Sequence, residues 1–112
     1  MANHFNQQCY ALLKLIPLGN VVTYGDIAHA LGTKAYQAVG NAMAHNPDPI
    51  VVPCHRVVKA NGDIGHYALG ITKKIQLLNT EGVQVEHGKI VNFKTIRFSF
   101  SKAQGATLRD EK

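Results

Sequence analysis

One stretch of this 112-residue chain, Pro53-Cys54-His55-Arg56, places a thiol beside an imidazole. The thiolate is the nucleophilic form of cysteine, and a free thiol with a pKa of about 8.5 is only slightly ionised at neutral pH. Cys54 therefore needs a base, and His55 is adjacent. Consecutive side chains of an extended chain point opposite ways, so proton passage between them requires a turn or an intervening water. A carboxylate that orients the imidazole completes such a site, and Glu81, at the end of an expected helix, is the best-placed candidate. Cys-His pairs also occur without catalysis, so these residues alone leave a catalytic and a structural thiol both open. Cys9 falls on an apolar stripe and reads as core. Neither the two cysteines nor the six scattered histidines, His4, His29, His45, His55, His66 and His87, match a zinc-ligand spacing, so no metal site is expected.

The elements that position these groups follow from periodicity. Apolar residues at Phe5, Cys9, Leu12, Leu13 and Ile16 trace one face of a helix, with Asn3 as N-cap and Pro17 and Gly19 as its end. Val21 and Val22 form a short extended piece. Thr23 followed by Asp26 fits a capping box for a helix through Ile27, Ala28 and Leu31, closed by Gly32. A second short helix spans Ala35 to Ala44, giving a helix-turn-helix pattern. Asn46-Pro47-Asp48-Pro49 excludes helix, and Ile50-Val51-Val52 reads as a short buried strand leading to the thiol. Asn61-Gly62 marks a tight turn, and Gly65 to Gly70 a glycine-bracketed loop. A helix from Ile71 to about Thr80 carries Ile71, Ile75 and Leu78 on one face, with Lys73 and Lys74 off it and Gly82 as terminator. The residues from Ile90 to Phe100 favour β structure, with Ile96, Phe98 and Phe100 alternating as a hairpin or final strand. That aromatic strip reads as core rather than a base-stacking platform, because no basic residues interleave regularly with it.

Length and composition set the frame. A chain of this size forms one domain with one modest core, expected over residues 1–100, with a loose polar tail over 101–112. Lys and Arg number 12 against 7 for Asp and Glu, giving a net charge of +5 and a pI near 9.4, which favours polyanionic partners, nucleic acid first. No run is long and apolar enough for a bilayer, and Met1 to Gln8 lack the pattern of a signal peptide; a cytoplasmic location is expected, with no membrane partner.

Taken in order, the motifs resemble one family. They are Ile16-Pro17, Gly19, Val21, Thr23-Tyr24-Gly25-Asp26-Ile27-Ala28, Ala38-Val39-Gly40, Ala42, Asn46-Pro47, Pro49-Ile50, Pro53-Cys54-His55-Arg56-Val57, Gly65, Tyr67, Lys73, Leu77-Leu78 and Glu81-Gly82. Over about residues 5–82 they are similar to the O6-alkylguanine-DNA alkyltransferases, in their short single-domain form. The resemblance implies a mainly α fold with a small β element, a winged helix-turn-helix-like DNA-binding domain, and single-turnover repair. Cys54 would take the alkyl group, His55 would act through a water as its base, Glu81 would hold the imidazole, Asn46 would brace the turn and Tyr24 would donate a hydrogen bond to the departing guanine. Met43, Pro49, Val57, Tyr67, Ala68 and Lys73 would form the substrate pocket. Lys34, Gln37, Ala38, Gly40, Tyr24 and Arg56 would contact double-stranded DNA, through the minor groove and as a monomer, with Lys59, Lys73 and Lys74 as further candidates for phosphate. No cofactor is implied, since the alkyl group passes directly to sulfur. Family members usually carry Arg immediately before Ala-Val-Gly to fill the space of the flipped base. Gln37 stands there in this chain, and weaker base flipping is expected. A non-enzymatic sensor of alkylated guanine is the alternative, though such proteins replace the cysteine; a plain helix-turn-helix regulator leaves Pro-Cys-His-Arg unexplained.

Overall fold

The computed structural model describes residues 4–100. Helix α1 (His4–Leu13) leads through a turn at Pro17 to β1 (Val22–Thr23), which passes directly into α2 (Tyr24–Ala30); α3 (Tyr36–Ala44) follows. A single 3₁₀ turn, Cys54–Arg56, feeds β2 (Val57–Val58), and α4 (Ile71–Thr80) packs against that turn. The chain then forms a hairpin of β3 (Val85–Glu86) and β4 (Lys89–Ile90) and a short helix α5 (Phe93–Ile96). The fold is mainly helical with small sheets, and no described helix is long and apolar enough to cross a membrane.

Local chemistry explains the best-defined boundaries. Thr23 Oγ1 accepts from the Asp26 amide at 2.9 Å while Asp26 Oδ2 accepts from the Thr23 amide at 3.0 Å, the expected capping box. Helix α1 runs to Leu13, and the proposed cap Asn3 lies outside the described residues, as do 101–112. Tyr10, inside the core, donates its hydroxyl to the Ala42 carbonyl at 2.8 Å and ties α1 to α3.

The expectation of one core needs correcting. β1 and β2 pair in parallel, Val22 with Val57 and Thr23 with Val58. Successive residues of a strand face opposite sides, so this ladder is a partition. Val22 and Val57 join the cluster of Cys9, Leu12, Leu13, Ile27, Val39 and Met43; Val21 and Val58 join a second cluster with Ile64, Leu78, Val83 and Ile90. Cys9 is fully buried in the first.

Two expected strands are absent. Ile50 and Val51 are 45% and 65% exposed, in a turn where Ile50 takes the left-handed φ of +82°. Prolines 47, 49 and 53 remove the amide donors a ladder would need, so Val52 alone is buried, bonded to the Asp48 carbonyl. The segment from Ile90 to Phe100 is interrupted by α5. His87 and Gly88 both take positive φ at the tip of the hairpin, as a two-residue turn requires. Arg97 then bridges in parallel to Val21, and Phe98 meets Phe100 edge-on at 5.4 Å, Phe100 being in the first core and Phe98 packed at its margin.

Candidate active site

A cavity of about 160 Å³ opens between α3, the start of α2 and the Gly65–Gly70 loop, lined by Tyr24, Gly40, Met43, Ala44, Cys54, His66, Tyr67 and Ala68. Cys54 stands on its wall, 4% exposed at the first residue of the 3₁₀ turn. Asn46, just beyond the C-terminus of α3, reaches across the proline loop. Its Nδ2 donates to the Val52 carbonyl at 2.7 Å and to Cys54 Sγ at 3.2 Å, while its Oδ1 accepts from the Asp48 amide at 2.9 Å. One amide thus fixes the loop and the thiol together. Burial pushes the Cys54 pKa up, against the pull of the Asn46 hydrogen bond and the Lys74 charge, so the resting group is a thiol.

Behind the thiol lies a polar network. His55 is buried, and its Nε2 lies 2.8 Å from Glu81 Oε2. Arg56 donates through Nε to Glu81 Oε1 at 2.9 Å, through Nη2 to Oε2 at 2.8 Å and through Nη1 to the Ile16 carbonyl at 2.8 Å. Burial acts to raise the Glu81 pKa, but the hydrogen bonds from Arg56 and His55 outweigh it and hold the carboxyl below its usual range. Burial also lowers the His55 pKa, against the Glu81 contribution, so the imidazole is neutral near pH 7. A neutral ring facing a carboxylate carries its proton on Nε2, which leaves Nδ1 as an acceptor. Nδ1 is buried and has no protein hydrogen-bond partner among the described residues. Cys54 and His55 share no direct hydrogen bond.

Lys74 is the residue that sequence reasoning misplaced. It is fully buried, donating to the Val57 carbonyl at 2.7 Å and to the His66 carbonyl at 2.9 Å, and burial brings its pKa down to about 8. It pins the cavity loop to β2 instead of contacting phosphate. Lys73, expected at the pocket, is exposed. The one available signal was spacing: Lys74 lies one turn before Leu78, the other buried residue of α4.

Other expected residues divide similarly. Tyr24, Met43, Tyr67 and Ala68 line the cavity. Val57 faces the first core and contributes its carbonyl to Lys74, whereas Pro49 bridges to Val52 instead of lining the cavity. Arg56, expected on DNA, spends its donors on Glu81 and Ile16 and is 14% exposed. Lys34 and Gln37 are exposed, and Ala38 and Gly40 are half-buried on α3. Gly65 has a φ of +71°, a left-handed backbone that glycine adopts without strain. The Tyr67 ring meets His55 edge-on at 6.3 Å, its hydroxyl is buried without a hydrogen-bond partner among the described residues, and burial pushes its pKa up to about 12.

Residues 4–83 match the family described as 6-O-methylguanine DNA methyltransferase, DNA binding domain. The chain is 53% identical over 81 residues to the methylated-DNA–protein-cysteine methyltransferase of Thermococcus gammatolerans, covering 71% of this chain and 45% of that protein. It resembles Mycobacterium tuberculosis OGT, solved in complex with DNA, with a TM-score of 0.70 and 43% identity over 72% of this chain and 51% of the other. It also resembles Schizosaccharomyces pombe Atl1, solved with DNA containing O6-carboxymethylguanine, with a TM-score of 0.76 and 30% identity over 88% of this chain and 98% of the other. The chain spans about half or less of the curated relatives it matches, 49% of the human one and 30% of the Picrophilus torridus bifunctional methyltransferase/endonuclease. With a thiol, an imidazole and a carboxylate assembled beside a cavity and the family's domain matched along most of its length, this chain belongs to the 6-O-methylguanine DNA methyltransferase family.

Proposed function

We propose that this protein repairs alkylated DNA by moving an alkyl group from O6 of guanine onto Cys54, once per molecule. The observation that carries this reading is the His55–Glu81 pair set behind a thiol on the wall of a cavity. The Cys54 proton leaves through a bridging water to His55 Nδ1. The thiolate then attacks the alkyl carbon in line with the C–O6 bond, which breaks, and its electron pair stays on the guanine. Tyr24, whose pKa is raised by burial and by the nearby Cys54, remains protonated and donates to that developing charge. The product is a thioether, which has no route back to a thiol in this site.

Cys54 is 4% exposed in the cavity wall and out of reach of a base stacked in a duplex, so the guanine is extruded. Helix α3 docks in the minor groove, where the degenerate hydrogen-bond pattern suits a reader of damage rather than sequence. Ala38 and Gly40 allow close approach, Lys34 contacts phosphate and Gln37 fills the space of the extruded base. The protein acts as a monomer.

A second reading, a sensor that binds alkylguanine without transfer, draws on the near full-length correspondence with Atl1. One experiment separates them: incubation with a duplex containing O6-methylguanine, followed by mass analysis of the Cys54 peptide. A methyl group on Cys54, missing from Cys54→Ala, is the expected result; tight binding without methylation would establish the sensor instead.

A further inference from the structure

Helix α3 carries three cavity-lining residues, Gly40, Met43 and Ala44. Residues four apart on a helix share a face, so the turn before Gly40 presents Tyr36 on the same stripe. Tyr36 is the first residue of α3 and is 54% exposed. The other large apolar side chains exposed in this way among the described residues, Leu18, Ile50, Val51, Leu69 and Ile71, are all aliphatic. Its ring also lies on the side of Gly25: Cε1 is 3.7 Å from the place a side-chain carbon would take there, next in sequence to the cavity-lining Tyr24. An aromatic face left in water one helical turn from a cavity-lining residue is a surface on which any base can stack.

We infer that Tyr36 stacks on a nucleobase unstacked when the target guanine leaves the duplex, and so holds the opened duplex in register with the cavity. This rests on the reading of the cavity as an alkylguanine site. Extrusion exposes the faces of the bases it leaves behind, and an apolar side chain placed against them offsets the lost stacking. Gln37 follows directly and has no ring to offer. Tyr36 is therefore a positioning residue, remote from the sulfur, and its contribution exists only when the substrate arrives in a duplex.

That dependence is the test. Transfer to Cys54 is followed from O6-methylguanine in a duplex and from the free base O6-benzylguanine, for wild type, Tyr36→Ala and Tyr36→Phe. Stacking predicts that Tyr36→Ala slows duplex transfer about tenfold, leaves the free base unaffected, and is rescued by Tyr36→Phe. An equal loss on both substrates would mean that Tyr36 merely shapes the cavity, a loss in Tyr36→Phe would mean that the hydroxyl acts, and no loss on the duplex would mean that the ring does nothing; each overturns the inference. If wild type transfers from neither substrate, the proposed activity fails by itself. Stacking is then judged by affinity for a duplex with a single abasic site: about tenfold weaker binding by Tyr36→Ala with Tyr36→Phe unchanged supports it, and equal affinities overturn it.

Discussion

On the Cys54 side of the cavity, position is set by directed polar bonds; on the α3 side it is set mostly by shape. Asn46, Glu81, Arg56 and Lys74 between them make nine hydrogen bonds to groups on or behind the thiol wall, with distances from 2.7 to 3.2 Å. The facing wall presents Gly40, Met43 and Ala44, backed by apolar packing and by the Tyr10 hydrogen bond to Ala42. A displacement reaction tolerates little error in the angle between sulfur, carbon and leaving oxygen, and bonds with fixed direction supply that tolerance. In the proposed function the other wall accepts a base swung in from DNA and needs smooth contour instead. The difference then separates what performs the proposed chemistry from what admits the substrate.

Substitutions on the two walls should therefore differ in kind. The largest effect is expected from Glu81→Gln, which removes the charge that orients His55 and neutralises Arg56. Transfer should slow by about 10²-fold or more, as for loss of general-base assistance. Leaving a mostly buried Arg56 without its carboxylate should cost about 3–5 kcal/mol of stability, measured by chemical denaturation. Unchanged rate and stability would remove the distinction between the walls.

Acid should act on the polar wall next. His55 has a folded pKa below the ordinary 6.5, so as pH falls beneath 6.5 the unfolded chain binds a proton that the native one refuses. Stability is full above 6.5 and declines towards the lower folded pKa; Glu81, also depressed, adds a second loss below its ordinary 4.5. The acid limb of the transfer rate should accordingly lie below pH 6.5, and a limb above it would show that His55 is not the base. The smallest effect belongs to the recognition side. Gln37→Arg adds one charge to an exposed position, so duplex affinity should rise several-fold and the salt dependence should steepen by about one phosphate contact. Stability and transfer from the free base should not move. If binding and repair rates are both unchanged, Gln37 does not occupy the gap left by the base.

Much of this arrangement was legible in the residue order. Helix starts and stops depend on neighbours three or four positions apart, and the Thr23–Asp26 box fixed α2 as expected. The pairing of His55 with Glu81 also followed, because a base needs an orienting acid. What escaped was set at longer range. Nothing local says that Val57 pairs with Val22, or that this pairing divides the interior in two. A lysine is ordinarily read as solvated, so the burial of Lys74 becomes visible only once the two carbonyls that receive it are in place. Arg56 looked like a DNA ligand until Glu81 came within reach of both edges of its guanidinium. Ile50-Val51-Val52 misled because apolar content implied burial while the flanking prolines forbade a ladder.

The parallel pairing of β1 with β2 has a kinetic consequence. Val22 meets Val57, Arg56 meets Ile16 across 40 residues, His55 meets Glu81 across 26, and Val21 is bridged by Arg97. Contacts this distant in sequence close late, after local helices have formed, because each must first overcome the entropy of its loop. Cys54 therefore spends the early part of folding before His55 has met Glu81, and the same closures that complete the interior also assemble the proposed site.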